Sequence, residues 1–349
     1  MVVRPSIGRL PSGAAASDPE DAMTVGQLRT GPPPTRTPQG IFSLGSLQRE
    51  TVNHIVNRSC ELYADIQAHD RSLRDKIVGI LFTKTSTRTR TAFTAGAISL
   101  GGTPIAFGPH DLQTNTGESL VDTGRVLGQM LDILVARTSG PLAELRDISR
   151  YGGIPVINAM ANEEHPTQGI CDLAAIKMVL GSVDGARLLY IGEGNNTATA
   201  LAQGLSHYSN CEVTFATPRG YGMPSGVLAE AAVRCATTGT SLTECHSMAE
   251  LPERVDFVYT TRWQTTGTSK ADAAWREAFR PFFVDAQLID RWPGCWFMHD
   301  LPAHRGEEVS GDVLDGPRSI VWSQARMKLT SAMAALEWTA QFGTGSSPP

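Results

Sequence analysis

From about residue 41 the chain alternates short apolar, β-branched runs with longer segments whose apolar residues recur every three or four positions. The runs over 76–82, 103–107, 132–137 and 154–159 read as strands, and 187–191, 213–216, 256–260 and 295–299 repeat the pattern. Helical spacing covers 47–66, with Ile55, Leu62 and Ile66 among its apolar positions, and returns over 91–100, 119–130 and 166–180. Strands alternating with helices predict parallel sheets, whose ligands bind at the carboxyl ends of the strands. The segment 323–342, apolar at helical spacing through Leu329, Met333, Leu336 and Trp338, predicts a last helix packing back across the domains.

The expected fold is therefore α/β, two parallel-sheet domains with a C-terminal helix returning across them. A chain of 349 residues exceeds one typical core, and the glycine-bearing break at 181–185 divides a domain over 41–180 from one over 186–322. Residues 1–40, rich in Pro, Gly, Ala and Ser, read as a loosely attached arm, and 343–349 as a fraying end.

Composition narrows the function classes. No apolar run approaches the roughly 18 residues of a membrane span. A net charge of −5 with both signs interspersed offers no broad basic face for nucleic acid, so any anion site must be local. Six cysteines lie far apart with no C-x-x-C pair and no histidine at ligand spacing, which argues against zinc. Scattered thiols without a secretory signal read as cytoplasmic.

The joint between the run 76–82 and the helix after it carries Ser86, Thr87, Arg88, Thr89 and Arg90. Ser86 stands where an N-cap is wanted, and Arg88 and Arg90 fall in a first turn whose dipole already disfavours cations. Cations there suit a phosphate bound at the helix start; a solvated start with two snorkelling arginines is the bland alternative. Arg137 closes the run 132–137 at the same sheet edge. His165, ahead of Pro166, arrives there too, as a loop-capping or a catalytic histidine. Gly192 and Gly194 tempt a dinucleotide reading, but Thr197 replaces the third glycine and no acid follows the next strand, so no nucleotide cofactor is expected.

Ser86 to Arg90, Arg137 with Thr138, His165 with Pro166, Thr167 and Gln168, and His299 with Asp300, Leu301 and Pro302 occur in an order that resembles the aspartate and ornithine carbamoyltransferases. The ornithine-type enzymes are the nearer likeness, through Gly192 to Asn196 and the loop 301–309, over about 41–336. The resemblance implies that Ser86, Thr87, Arg88 and Thr89 bind the phosphate of carbamoyl phosphate. Arg137, His165 and Thr89 would hydrogen-bond the carbamoyl oxygen, and Gln168 and the Leu301 carbonyl would hold the carbamoyl NH2. It also implies a homotrimer in which Gln113 completes a neighbouring subunit's site, with no metal or organic cofactor.

Three departures fall on the acceptor side or the carbamoyl end. Thr261 stands where ornithine enzymes place an aspartate for the α-ammonium, and Thr265, Thr266 and Gly267 replace their Ser-Met-Gly. Asp300 replaces the family's cysteine, which would suit a guanidinium or a second amine; equally, it could take over the lost aspartate's charge from another direction. Lys328 replaces an arginine, and a point charge is no substitute for a planar fork. Asn196 is kept, and Arg262 could take a carboxylate. These residues lead to the expectation of a carbamoyltransferase acting on an amine or guanidino acceptor other than ornithine, in specialised metabolism. Ornithine itself, and a non-catalytic anion-binding member of the family, are the alternatives.

Overall fold

The computed structural model describes residues 38–138, 140–265 and 269–343. The arm expected over 1–40 lies almost wholly outside them, as do Thr266, Gly267 and the end beyond 343. The first half runs α1 (Arg49–Ala64), β1 (Ile77–Phe82), α2 (Arg88–Ser99), β2 (Thr103–Phe107), α3 (Leu120–Leu127), β3 (Ile133–Arg137), α4 (Leu142–Gly152), β4 (Val156–Asn158) and α5 (Pro166–Leu180). These strands form a parallel sheet in the order β2-β1-β3-β4.

The second half continues with β5 (Arg187–Ile191), α6 (Asn196–Leu205), β6 (Glu212–Ala216), α7 (Val227–Thr238), β7 (Ser241–Cys245), β8 (Phe257–Thr260) and α8 (Trp275–Phe279). It ends with α9 (Ala286–Ile289), β9 (Trp296–His299), α10 (Gly311–Leu314) and α11 (Val321–Phe342). Its sheet is parallel too, in the order β7-β6-β5-β8-β9.

Both orders contain a reversal point, where successive connections leave in opposite directions and open a crevice at the strands' carboxyl ends. In the first sheet it lies between β1 and β3, where Phe82 pairs with Arg137. In the second it lies between β5 and β8, and the pairs Ile191–Thr260 and Thr260–His299 bring the ends of β5, β8 and β9 level. Register alone thus delivers the loops after residues 82, 137, 191, 260 and 299 to two crevices.

What joins the sheets is buried helix. The first eleven residues of α5 are all buried, so it has no polar face, and it packs against α1, α6 and α11. The helix α11 also lies against α1 and α2, as expected of a segment returning to the first half. One apolar cluster runs from Ile41 through Ile170, Leu201 and Tyr190 to Met333 and Phe342. On the far side of the first sheet α3 and α4 approach backbone to backbone; a Cβ on Gly128 would stand 1.9 Å from the Gly152 carbonyl oxygen.

The helix start at the phosphate joint differs from the sequence expectation. The N-cap of α2 is Thr87, already in helical backbone (φ −81°, ψ −58°) and making no side-chain cap bond, so Ser86 is not the cap. The chain turns helical one residue later than Ser86 would dictate, which leaves both hydroxyls uncommitted to capping. Arg88 does open the first turn, but Arg90 points away and is exposed.

Candidate active site

Residues from the carboxyl ends of both sheets line a single cavity of about 290 Å³. From the first half come Ser86, Thr87, Arg88 and Thr89 at the start of α2, Arg137 at the end of β3, and His165 and Gln168 at the start of α5. From the second half come Asn196, Thr261, Arg262, Asp300 and Leu301, with Lys328 reaching in from α11. The sequence reading therefore assembles in one place, except for Gln113, which is exposed on the loop after β2 and outside its own chain's cavity.

The first-half end of the cavity is cationic. Arg137 is 7% exposed, and its Nε is buried with no hydrogen-bond partner among the described residues. Burial, then the neighbouring Arg88, push Arg137 down to about 10, which still leaves it charged at neutral pH. Burial also lowers Arg88, against an opposing pull from Asp300. Among the described residues neither arginine has an ion pair, so a buried N–H and two cations are left to an acceptor outside them.

His165 caps α5, is 5% exposed, and lies with Nδ1 3.3 Å from Thr167 Oγ1. Burial, then Lys328, Arg137 and Arg88, hold its pKa well below the ordinary value, so the ring is neutral. A Thr167 hydroxyl that donates to Nδ1 leaves the ring proton on Nε2, as a donor.

Behind His165 sits a buried polar network. Asp172, wholly buried, accepts from Gln168 Nε2 at 2.8 Å, Gln324 Nε2 at 2.6 Å and Tyr259 OH at 3.2 Å. Lys328 Nζ donates to Gln168 Oε1. A carboxylate can only accept and an ammonium can only donate, so the two partners fix which way round the Gln168 amide lies. Burial raises Asp172 and lowers Lys328, each against the pull of the other's charge.

From the second half Asp300 is the carboxylate of the cavity, and it is braced. It accepts from Thr197 Oγ1 at 2.9 Å and from Thr261 Oγ1 at 3.0 and 3.1 Å. The preceding His299 accepts at Nδ1 from the Leu301 N–H at 2.7 Å and lies with Nε2 3.3 Å from Glu308 Oε1. Leu301 itself is held in left-handed backbone, at φ 54°. Asn196 Nδ2 donates to the Ala161 carbonyl at 3.1 Å, while its own carbonyl accepts from His165 N–H at 3.1 Å. The expected acceptor residue Asn196 is thus also a strap between the halves.

A family model described as the aspartate/ornithine carbamoyltransferase carbamoyl-P binding domain matches residues 39–178, and its Asp/Orn binding domain matches 184–339. The chain belongs to the aspartate/ornithine carbamoyltransferase family. The anabolic ornithine carbamoyltransferase of Pyrococcus furiosus is 35% identical over 277 residues, covering 79% of this chain and 87% of its own. A solved structure of the P. furiosus enzyme matches with a TM-score of 0.82 at 32% identity, covering 89% of this chain and 99% of that one. The ornithine carbamoyltransferase of Gloeobacter violaceus gives 0.77 at 31% identity, covering 88% and 100%. These names favour ornithine over the expectation of a different acceptor.

Within this carbamoyltransferase the cationic end falls in the matched carbamoyl-P domain and the Asp300 end in the matched Asp/Orn domain. Sequence reasoning gave no site role to Thr85, Met160, Asn195 or Thr197, which also line the cavity. Thr197 did carry a signal: the residue that breaks the dinucleotide glycine pattern is the hydroxyl that braces Asp300. Elsewhere, ligating atoms of His304, Glu307 and Glu308 come within 4.8 Å of one another. Glu307 is tied to Arg276 at 2.9 Å and Glu308 to His299, so the cluster is an ion-pair network. Among the described residues no helix is long and apolar enough to cross a membrane.

Proposed function

We propose that this carbamoyltransferase moves the carbamoyl group of carbamoyl phosphate to the side-chain amine of ornithine, forming citrulline and releasing phosphate. The observation that carries the reading is the polarity of the cavity. Arg88 and Arg137, whose Nε has no partner among the described residues, come from the first half, and a carboxylate braced by Thr197 and Thr261 comes from the second. Thr261 occupies the position of the family's aspartate and donates to Asp300 at 3.0 Å, so the negative charge is displaced by about one side chain rather than lost. An α-ammonium on Asp300 and an α-carboxylate on Arg262 would hold an amino acid with its second amine toward the donor.

In the reaction the uncharged amine attacks the carbamoyl carbon. The new C–N bond forms, the C–O bond to phosphate breaks with its electron pair leaving on phosphate, and the amine's proton follows to that leaving group. Negative charge building on the carbamoyl oxygen would be met by Thr89, Arg137 and Nε2 of neutral His165, preorganised donors in a site screened from water. Gln168 Oε1 keeps a lone pair beyond its bond to Lys328, and with the Leu301 carbonyl it would accept from the carbamoyl NH2. Ser86, Thr87 and Arg88 would hold the phosphate at the start of α2. The chemistry calls on no metal or organic cofactor.

Gln113, exposed and outside its own cavity, would complete the site of a neighbouring copy in a homotrimer. Mixing an inactive Gln113→Ala chain with an inactive Arg137→Ala chain would then restore activity in hybrid trimers.

The deciding assay follows citrulline and phosphate with purified full chain, carbamoyl phosphate and ornithine. Turnover at the rate of a biosynthetic enzyme supports the reading, and none refutes it. A second reading, transfer to another amine or a guanidino compound, draws on Asp300 and Lys328, which replace the family's cysteine and arginine. Phosphate release across a panel of amines separates the two, and silence on every acceptor would mark a non-catalytic member.

A further inference from the structure

The acceptor half of the cavity is walled by the segment that follows β8, where Thr261, Arg262 and Thr265 line the space. Ahead of α8, Lys270 turns inward. Its side chain is only 6% exposed, and its ammonium lies 4.5 Å from the ring centre of Tyr221, 5.1 Å from Phe279 and 5.4 Å from Trp275. The same aromatic cluster takes in Trp263, whose ring packs 5.7 Å from Phe279. A desolvated ammonium inside three rings needs a counter-charge, and Glu193 Oε1 supplies it.

Glu193 belongs to the turn after β5, on the other side of the crevice. Its second oxygen, Oε2, accepts from Thr265 Oγ1 at 3.0 Å, and Thr265 Oγ1 in turn accepts from Asn195 Nδ2 at 3.1 Å. Asn195 Oδ1 caps α6 by accepting from the N–H groups of Thr197 and Ala198 at 2.9 and 3.2 Å. Thr197 then braces Asp300. The caged cation therefore stands at the head of a hydrogen-bonded chain that runs along the acceptor wall and ends on the cavity's carboxylate.

We propose that Lys270 is a positioning residue for the acceptor: through Glu193, Thr265 and Asn195 it locks residues 261–265 against the start of α6 before the acceptor arrives. The proposal rests on the acceptor half lying in this wall, as the function proposed above has it. With the lock in place, acceptor binding does not have to order the segment; without it, part of the binding free energy goes into ordering and apparent affinity falls. The donor end, built on α2, β3 and α5, is outside the chain of bonds and is unaffected.

The test compares full-length Lys270→Met, Lys270→Arg and Glu193→Gln with the parent. Methionine keeps a flexible apolar stem among the rings but removes the charge, while arginine keeps a cation that stacks on them. Lys270→Met and Glu193→Gln each raise the KM for ornithine about tenfold, equivalent to one decade of affinity, and leave the KM for carbamoyl phosphate unchanged. Lys270→Arg stays near the parent, and the Lys270→Met/Glu193→Gln double variant is no worse than either alone. An unchanged ornithine KM, or equal rises for both substrates, overturns the proposal. Amide exchange over 261–265 is the second readout, and it needs no acceptor. Faster exchange there in Lys270→Met, with α5 unchanged, supports the lock even if the parent fails to carbamoylate ornithine, in which case only the acceptor assignment falls. Unchanged exchange overturns the lock.

Discussion

Replacing Asp300 with asparagine separates the two ends of the cavity, because the change should act on the two substrates with opposite sign. The side chain is 16% exposed and is braced by Thr197 and Thr261, so an isosteric amide keeps its place while its charge is lost. A hydrogen bond from an ammonium to a carboxylate is worth about 1.5–3 kcal/mol and one to a neutral carbonyl about 1, so the variant loses about 0.5–2 kcal/mol of acceptor binding. That loss corresponds to a rise of roughly 2- to 30-fold in the KM for ornithine. At the other end Asp300 is the negative charge that partly offsets Arg88 and Arg137, and neutralising it strengthens the field that attracts phosphate. The KM for carbamoyl phosphate should therefore fall. Initial rates of citrulline formation, with each substrate varied against saturating partner, give both constants. If ornithine KM does not change, Asp300 does not hold the acceptor. If both constants rise together, the substitution has loosened the site as a whole, and the electrostatic argument fails.

Arg137→Gln should cut kcat by about 10²–10³, the value of one preorganised donor to a developing oxyanion, without lowering the unfolding midpoint, because the buried Nε it removes has no partner among the described residues. Glu164, fully buried with Oε1 accepting from Leu44 N–H at 2.8 Å, is raised from 4.5 to about 7 by burial. The native state holds that proton longer than the unfolded one, so the stability it contributes is complete below about pH 4.5 and is lost as pH rises to about 7. Glu164→Gln should therefore remove a cost of up to about 3 kcal/mol above pH 7, seen as a urea midpoint whose advantage over the parent widens from pH 5 to pH 8. Equal midpoints at both pH values would refute this. Gly128→Ala, whose new Cβ would meet the Gly152 carbonyl, should cost about 1–3 kcal/mol or more and lower the melting midpoint by several degrees while ornithine and carbamoyl phosphate KM hold.

The sheets were legible because buried parallel strands announce themselves as apolar runs: β1, β3, β5, β8 and β9 lie within a residue or so of the runs that predict them. The edge strand β7 does not, since in Ser241–Cys245 only Leu242 is a large aliphatic and no residue is fully buried. The helix α4 makes its apolar contacts through Leu142, Leu145 and Ile148 alone among strongly polar neighbours such as Glu144, Arg146, Asp147 and Arg150, and is hidden in that stretch. In the site, residues that end a strand or start a helix could be placed from sequence, because sheet topology sends those positions to one edge. Thr197, Glu193 and Lys270 could not. Their roles arise from partners 103 and 77 positions away, and nothing local marks a threonine as the brace of a distant carboxylate. The mistaken N-cap has a similar origin: Ser86 has the right chemistry, but the backbone is not committed to the helix until Thr87.

The return of α11 to the first half has a consequence for how the protein is made. The surface of α1, α2 and α5 that α11 covers consists of residues translated long before Val321–Phe342 emerge from the ribosome. At roughly 5–20 residues per second, that surface stays uncovered on the order of ten seconds or more on every nascent chain. The first sheet can pair early, but its helical layer closes only once Val321–Phe342 have been made, and this interval is when a chaperone would find an apolar face to hold.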